Sequence, residues 1–377
     1  MLLALALPLN AAEPVAMPRP PAVVDRAPVA LLVDLSSGQT LFERQADQRM
    51  LPASMTKAMT ALIAFDLIKA GRLDEQALIT VRPETAARWA GKGTTLNLRA
   101  GEKVSVQHLL EGTMIVSAND AAVALAEGAL GSTDAWLAAM NARAAALGMK
   151  GSHFGTANGF PDRGRTYVTA RDMVHLAQAL AIDHPQLYRR YIGRQTMDWR
   201  GQKLASHDPF AGVLPGADGI KTGHTFEAGF NFLGAVERQG RRLVLVIGGA
   251  ETEPGRASAA KALAEWGYGA WDSRAFLKQG DIVGEARVQQ GEERAVPLAA
   301  PRGFVLSVPK STNPKVTARI IYNGPLIAPV VKGAVVANLQ VSVAGQKDHF
   351  LPLVAAKDVA PAGPFDRLVN GLLGLFS

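Results

Sequence analysis

Two regions of β-prone sequence enclose a longer stretch with helical character, and this order restricts the fold more than any single motif. Residues 29–35 and 40–43 predict two strands of a hairpin, with its turn at residues 36–38. Residues 230–250 predict two more strands, with Gly240 at the turn between them. Because hairpins pair their strands antiparallel, the sequence predicts an antiparallel sheet with helices packed around it, an α+β fold.

The helical stretch carries recognisable start and stop signals. Helices are predicted over residues 121–129, 132–147, 169–181 and 257–271. Gly148 follows the second of these as a C-cap, and Thr169 with Asp172 resembles a capping box at the start of the third.

The character of the sequence changes after about residue 273. Short β-prone pieces separated by Gly and Pro follow, which predicts a small separate β domain over residues 274–357. Residues 28–273 then form the larger domain. The Pro-rich residues 13–27 predict a linker in front of it.

The sequences at both ends of the chain indicate that the protein is exported and directed to a membrane. Residues 1–12 contain an apolar run followed by small residues and resemble a secretion signal, although no basic residue precedes the run. Residues 358–377 end in an amphipathic helical pattern, with Phe365, Leu368 and Leu372 on the apolar face. We expect this helix to lie in a membrane interface; the alternative is that it docks on its own β domain. The sequence thus predicts an exported protein that is held peripherally at a membrane surface.

Composition excludes several functions. The 377 residues include 48% hydrophobic and 19% charged residues, as in a folded protein, and no cysteine, which excludes thiol catalysis and disulfides. The seven histidines are scattered, so no metal or other cofactor is expected. The net charge of +7 is dispersed without Lys/Arg runs, which argues against nucleic-acid binding. The Gly-rich stretch at residues 91–95 lacks the spacing of a phosphate-binding loop.

A further helix that begins near residue 54 carries a hydroxyl and an ammonium one turn apart. Ser54 and Lys57 face the same way if this segment is helical. In one interpretation Ser54 is an N-cap and Lys57 is solvated, which is the better choice for an isolated motif. In the other, Ser54 is a nucleophile whose proton Lys57 accepts, close to the N–H groups of the helix start.

Two later motifs favour the second interpretation. Residues 117–119 read Ser-Ala-Asn, and residues 221–223 read Lys-Thr-Gly. Ser-x-x-Lys, Ser-Asp-Asn and Lys-Thr-Gly are the signature of penicillin-binding proteins and class A β-lactamases, and this chain has alanine at the middle position of the second motif. Each motif alone has an ordinary explanation as a turn or a strand entry, but their order makes chance agreement improbable.

The chain resembles the low-molecular-mass penicillin-binding proteins of peptidase family S11, which act as serine-type D-alanyl-D-alanine carboxypeptidases. Besides the three motifs, the resemblance rests on the segments PASMTKAMTALI, VSANDAAVALAE, NGFPDRGRTYVTARDM, DGIKTGHTFEAGFN and GGAETEPGRASAAKALAEWGY. It covers roughly residues 28–272 and continues, as a pattern only, through the β-rich region and the amphipathic end. It implies a β-lactamase/transpeptidase-like domain, peptidoglycan stem peptides as substrates and β-lactams as covalent inhibitors.

The resemblance also implies roles for individual residues. Ser54 would be the acylated nucleophile and Lys57 its base, with the backbone N–H groups of Ser54 and His224 as the oxyanion hole. Ser117 would shuttle a proton and Asn119 would hold the substrate amide.

A second group of residues would bind the substrate. Lys221 would supply positive potential, and Thr222, Gly223 and His224 would line the cleft, with Thr222 binding the terminal carboxylate. Arg256 would pair with the same free carboxylate, although an ordinary arginine at a helix start is the alternative.

Other functions stay open at this point. A D,D-endopeptidase or a weak β-lactamase would share the motifs, and so would a β-lactam or wall sensor without turnover. No counterpart of the deacylating glutamate of class A β-lactamases is identifiable, so a penicilloyl-enzyme is expected to persist. Residues 206–216 depart from the pattern of many relatives in front of Lys221. The oligomeric state is not predictable from the sequence.

Overall fold

The computed structural model describes residues 17–363, and the predicted signal and terminal helix lie outside the described residues. The described chain divides into two compact units. The larger unit contains residues 20–35 and 40–268, and the smaller one contains residues 17–19, 36–39 and 269–363. None of the helices described between residues 17 and 363 is long and apolar enough to cross a membrane.

An antiparallel five-stranded sheet forms the centre of the larger unit. The strands of this part of the chain are β1 (Val29–Asp34), β2 (Gln39–Arg44), β3 (Leu78–Thr80), β4 (Lys103–Ser105), β5 (Thr196–Trp199), β6 (Gln202–Ala205), β7 (Ala217–Thr225), β8 (Gly229–Arg238) and β9 (Arg241–Ala250). The order in the central sheet is β2-β1-β9-β8-β7, so the first and last strands of the unit meet in one sheet. Leu31 pairs with Val246, and Thr222 pairs with Phe232. Strand β7 is therefore an edge strand.

Helices pack around this sheet. They are α1 (Lys57–Lys69), α2 (Pro83–Trp89), α3 (Val106–Met114), α4 (Asn119–Leu130), α5 (Thr133–Ala146), α6 (Ala170–Asp183), α7 (Pro185–Tyr191) and α8 (Glu253–Gly269). Ten of the thirteen residues of α1 are buried, because it contacts α3, α4, α5 and α6 around its circumference. A helix that is apolar on all sides takes such a central position. Lys57 begins this helix and is therefore drawn into the core of the unit.

The predicted α+β fold is confirmed, and two helix boundaries agree with their caps. The hydroxyls of Ser132 and Thr169 accept hydrogen bonds from backbone N–H groups at the starts of α5 and α6. Gly148 has φ of +72°, as the predicted C-cap requires.

The prediction of a helix over residues 257–271 is wrong at both ends. Helix α8 begins at Glu253, because the Thr252 hydroxyl accepts a hydrogen bond from Gly255 N at 3.1 Å and so marks the helix start. The helix ends at Gly269, and Trp271 instead starts a strand that pairs with Pro309. Trp271 is buried, and a buried apolar residue fits the end of a helix as well as the start of a strand. The periodicity of the sequence therefore could not decide between a helix and a strand at this position.

The smaller unit is built from β-strands. They are β10 (Trp271–Leu277), β11 (Ile282–Gln289), β12 (Ala295–Ala299), β13 (Phe304–Pro309), β14 (Val316–Ile321), β15 (Leu326–Ile327), β16 (Val335–Val343) and β17 (His349–Ala355). Six of them form a sheet in the order β14-β16-β17-β12-β11-β15, and β10 pairs with β13. The smaller unit has its own hydrophobic core, which includes Leu298, Leu339 and Leu353. Burial alternates along β16, because successive side chains of a strand point to opposite faces of the sheet.

Candidate active site

A cleft of about 460 Å³ in the larger unit collects residues from all three sequence motifs. Its lining includes the predicted residues Ser54, Ser117, Asn119, Thr222, Gly223, His224 and Arg256. The lining also includes residues to which the sequence assigned no role in the site, such as Gly93, Thr94, Phe160, His207, Glu227 and Glu253. Lys57 and Lys221 are buried side chains close to these residues.

Ser54 lies in a short 3-10 turn, Ala53–Thr56, immediately before α1. Gly223 of β7 makes room for this turn, since a Cβ at position 223 would lie 2.3 Å from the Pro52 carbonyl oxygen. Gly159 does the same on another side: with φ of +75°, its missing Cβ would lie 1.8 Å from the Ala53 oxygen. Glycine at both positions therefore allows the backbone to pack closely around the serine.

Lys57 points from the start of α1 toward Ser54 and is fully buried. Its Nζ lies 2.8 Å from Ser54 Oγ, donates to Asn119 Oδ1 at 2.8 Å, and donates to the Asn158 carbonyl oxygen at 2.7 Å. The Asn119 amide is oriented by its own Nδ2, which donates to Lys92 O at 3.0 Å. The amide oxygen and the carbonyl can only accept hydrogen bonds.

These contacts define what a neutral Lys57 would do. A neutral amine has two N–H donors and one lone pair, and Asn119 and Asn158 use both donors. The lone pair is then left for the Ser54 hydroxyl, so the geometry places a proton acceptor within hydrogen-bond reach of a potential nucleophile. Serine activation by an adjacent base is the chemistry that this arrangement permits.

The electrostatics of the two buried lysines support this protonation state. Burial lowers the pKa of Lys57 well below its ordinary value, and the charge of Lys221 lowers it further, while Asp120 acts in the opposite direction. Burial, together with the Arg256 charge, lowers the pKa of Lys221 to about 7. A lysine in such an environment can act as a base near neutral pH.

The second motif lies in the turn between α3 and α4. Ser117 has φ of +66°, a left-handed conformation that is uncommon for a residue other than glycine. Asn119 N donates to Thr94 O at 2.8 Å, which ties this turn to the Gly-rich stretch at residues 91–95. Residues 91–95 thus form one wall of the cleft. A left-handed backbone such as that of Ser117 is strained, and strained residues are common at functional sites.

Two buried polar residues that sequence analysis missed hold this arrangement together. The carboxylate of Asp120 accepts hydrogen bonds from the backbone N–H groups of Leu96 and Leu98, at 2.9 and 3.0 Å. Asn158 supplies a carbonyl to Lys57, as described above, and its own Oδ1 accepts from Phe160 N at 3.0 Å. Both residues fall in the segments that carry the family resemblance, which is the signal that could have identified them.

The remaining predicted residues lie on β7 and α8. The ring of His224 stacks on Phe230 of the adjacent strand, with centroids 3.9 Å apart. Arg256 is a buried side chain in the first turn of α8, and its Nη2 donates to Glu253 Oε1 at 2.9 Å. Lys221 Nζ donates to the carbonyl of Thr222 at 3.1 Å.

Residues 206–216, which differ from the pattern of many relatives, contribute His207 to the cleft. Burial lowers the pKa of this imidazole, and the charge of Lys221 lowers it further. His207 is therefore favoured in its neutral form, and Arg256 together with the charged form of Lys221 gives this part of the cleft a basic character that suits an anionic group. Among residues 17–363 no cluster of three or more His, Asp or Glu side chains could hold a metal ion.

Comparison with known proteins identifies similar sequences along nearly the whole chain. Residues 16–252 match the family described as D-alanyl-D-alanine carboxypeptidase, and residues 271–361 match the C-terminal domain of penicillin-binding protein 5. The D-alanyl-D-alanine carboxypeptidase DacA of Escherichia coli is 32% identical over 353 residues, which cover 92% of this chain and 87% of the relative. DacA of Haemophilus influenzae is also 32% identical, over 92% of this chain and 90% of the relative.

Solved structures agree with these sequence matches. Penicillin-binding protein 5 from Haemophilus influenzae is 29% identical, with a TM-score of 0.79, and the match covers 92% of this chain and 99% of that one. Penicillin-binding protein D2 from Listeria monocytogenes, solved in an ampicillin-bound form, is also 29% identical. That match has a TM-score of 0.57 and covers 64% of this chain and 97% of that protein.

Proposed function

This chain belongs to the D-alanyl-D-alanine carboxypeptidase family of serine peptidases, and from that premise we propose that Ser54 carries its reaction as an acylated nucleophile. The substrate is a peptidoglycan stem peptide that ends in D-Ala-D-Ala. The contact of 2.8 Å between Lys57 Nζ and Ser54 Oγ, inside a site that favours a neutral amine, is the observation that supports this proposal most directly.

The reaction proceeds in two halves. Lys57 accepts the proton of Ser54 while Oγ attacks the carbonyl carbon of the penultimate D-Ala. The C–N bond then breaks, and the departing D-Ala amine receives a proton through Lys57 and Ser117. In the second half, Lys57 accepts a proton from the water that attacks the ester carbonyl and passes it to Ser54 Oγ as the ester bond breaks and the shortened stem leaves as a carboxylate, whose proton goes to solvent. Asn119 holds both the Lys57 amine and the substrate amide.

Charge at the reacting carbonyl and at the substrate terminus is stabilised separately. The backbone N–H groups of Ser54 and His224 stabilise the oxyanion that forms on the attacked carbonyl. Thr222 and Arg256 bind the terminal carboxylate, and Lys221 provides positive potential near it. The lining of the cleft continues past Gly223 to Glu227, where the upstream part of the stem fits.

β-Lactams acylate the same serine. A relative solved in an ampicillin-bound form supports this assignment. The β-lactam leaving group remains tethered to the acyl group, and sequence analysis identified no deacylating glutamate in this chain. The adduct therefore persists.

We place this activity at the extracytoplasmic face of the inner membrane. The support is the sequence alone: an apolar N-terminal segment that resembles an export signal, and an amphipathic C-terminal segment. The full chain is expected to sediment with anionic lipid vesicles, and a chain that ends at residue 363 is expected to stay in the supernatant. Equal sedimentation of both chains would contradict a C-terminal anchor.

The choice between carboxypeptidase and endopeptidase depends on Arg256. D-Ala release from an acyl-D-Ala-D-Ala peptide should exceed cleavage of a purified cross-linked dimer. Arg256→Gln should raise KM for the free acid about 10- to 100-fold, because a charge-assisted pair with the carboxylate is lost. The exposed Arg72→Gln serves as a control for charge. Preferential cleavage of the dimer, unaffected by Arg256→Gln, would instead establish an endopeptidase.

A further inference from the structure

We propose that Glu253 competes with the substrate for Arg256 and thereby limits the affinity of the cleft for ligands that carry a free terminal carboxylate. The inference rests on the proposed function, which gives Arg256 the role of binding that carboxylate. It adds a residue that sets substrate affinity and selectivity.

The starting observation is an ion pair inside the cleft. Glu253 and Arg256 both line it, and Arg256 Nη2 donates to Glu253 Oε1 at 2.9 Å. Their side chains differ in accessibility, since 4% of the arginine and 59% of the glutamate side chain is exposed. The arginine is therefore held in place, while the glutamate is free to move into solvent.

The hydrogen bond of the Arg256 guanidinium shows which of its two edges Glu253 occupies. Arginine binds a carboxylate side-on through Nε and the Nη2 atom on the same edge, in a bidentate pair. Arg256 Nη2 is used by Glu253, while Arg256 Nε is buried and has no hydrogen-bond partner among the described residues. An incoming carboxylate that used both donors of this edge would have to displace Glu253.

The surrounding charges identify Glu253 as the relevant competitor. Asp208 also acts electrostatically on Arg256, but its Oδ1 accepts from Phe210 N at 2.9 Å and the residue is only partly exposed. Lys221 and His207 carry no negative charge. Glu253 is thus the carboxylate that is both hydrogen-bonded to Arg256 and able to leave, and its charge also repels an anionic ligand.

A purely structural role makes a different prediction. Glu253 and Arg256 are three residues apart in the first turn of α8. An acidic side chain at this position stabilises a helix through its favourable interaction with the helix dipole. If the pair only stabilised α8, loss of the Glu253 charge would lower the melting temperature without changing affinity for carboxylates. Binding measurements separate the two roles.

The test is Glu253→Gln, which keeps the size of the side chain and one acceptor oxygen and removes its charge. With acyl-D-Ala-D-Ala, kcat/KM is expected to rise about three- to five-fold, mainly through a lower KM, the range that a half-exposed ion pair supports. The same peptide with a C-terminal carboxamide should change less than two-fold. Glu251→Gln removes an exposed charge two residues earlier and is the matched control.

Equilibrium binding separates this inference from the proposed function. In a Ser54→Ala background, Glu253→Gln should tighten binding of the free acid by the same three- to five-fold. If the unmodified chain releases no D-Ala but this tightening is seen, the proposed function fails and the role of Glu253 stands. Unchanged or weaker binding, an equal gain with the carboxamide, or an equal effect of Glu251→Gln would each overturn the inference.

Discussion

Replacing Ser54 by alanine is expected to lower D-Ala release by about 10⁴-fold or more, the order of effect that loss of the nucleophile has in serine hydrolases. The reason is that, within residues 17–363, the hydroxyl that lies 2.8 Å from Lys57 Nζ belongs to Ser54. The same change should abolish the covalent adduct that mass spectrometry detects after a brief exposure to penicillin.

Two measurements test whether the loss of activity comes instead from unfolding or from a nonspecific effect of substitution. Ser54 is only partly buried and lies at the cleft surface, so its loss should leave the thermal unfolding midpoint nearly unchanged. Ser258→Ala, at an exposed position of α8, should retain full activity and the full adduct. An adduct of normal mass and rate in Ser54→Ala would require a different nucleophile and would end the proposal.

Replacing Lys57 by arginine is expected to cost about 10³-fold in kcat/KM, although arginine is also a long basic side chain. A guanidinium does not lose its proton in the accessible pH range, whereas burial and Lys221 together favour the neutral form of the lysine. Lys69→Arg is the matched control, because Lys69 is an exposed lysine at the other end of the same helix. Circular dichroism of both variants checks that the fold is intact.

The pH profile gives a second readout of Lys57. The proposed mechanism needs this amine neutral, so kcat/KM should rise with pH through its lowered pKa. Activity also needs Lys221 charged to attract the substrate carboxylate, so kcat/KM should fall as pH rises past about 7. The residual activity of Lys57→Arg should lack the acid limb. An unchanged acid limb in that variant would show that another group is the base.

The sequence was sufficient for the family, because three short motifs with fixed internal spacing occur in one characteristic order along the chain. Ser54 and Lys57 are three residues apart, which predicted that they face the same way, and the 3-10 turn that leads into α1 brings their side chains within 2.8 Å. The order of β-prone and helical segments likewise predicted the α+β fold. By contrast, the end of α8 was mispredicted, because the apolar Trp271 fits a helix or a strand equally well until its partner Pro309 is known.

The chemistry of the site depended on contacts that no local pattern contains. The partners of Lys57 Nζ on Asn119 and Asn158 lie 62 and 101 residues away in the chain, and both amine donors are used only when all three segments meet. The sequence alone gave Arg256 an ordinary helix-start alternative, and nothing in it indicated that Glu253 would share its guanidinium. Sequence spacing therefore determined which residues could react. Only tertiary burial decided their protonation and pairing, because the free energy of a charge depends on the groups and the solvent around it and not on its neighbours in the chain.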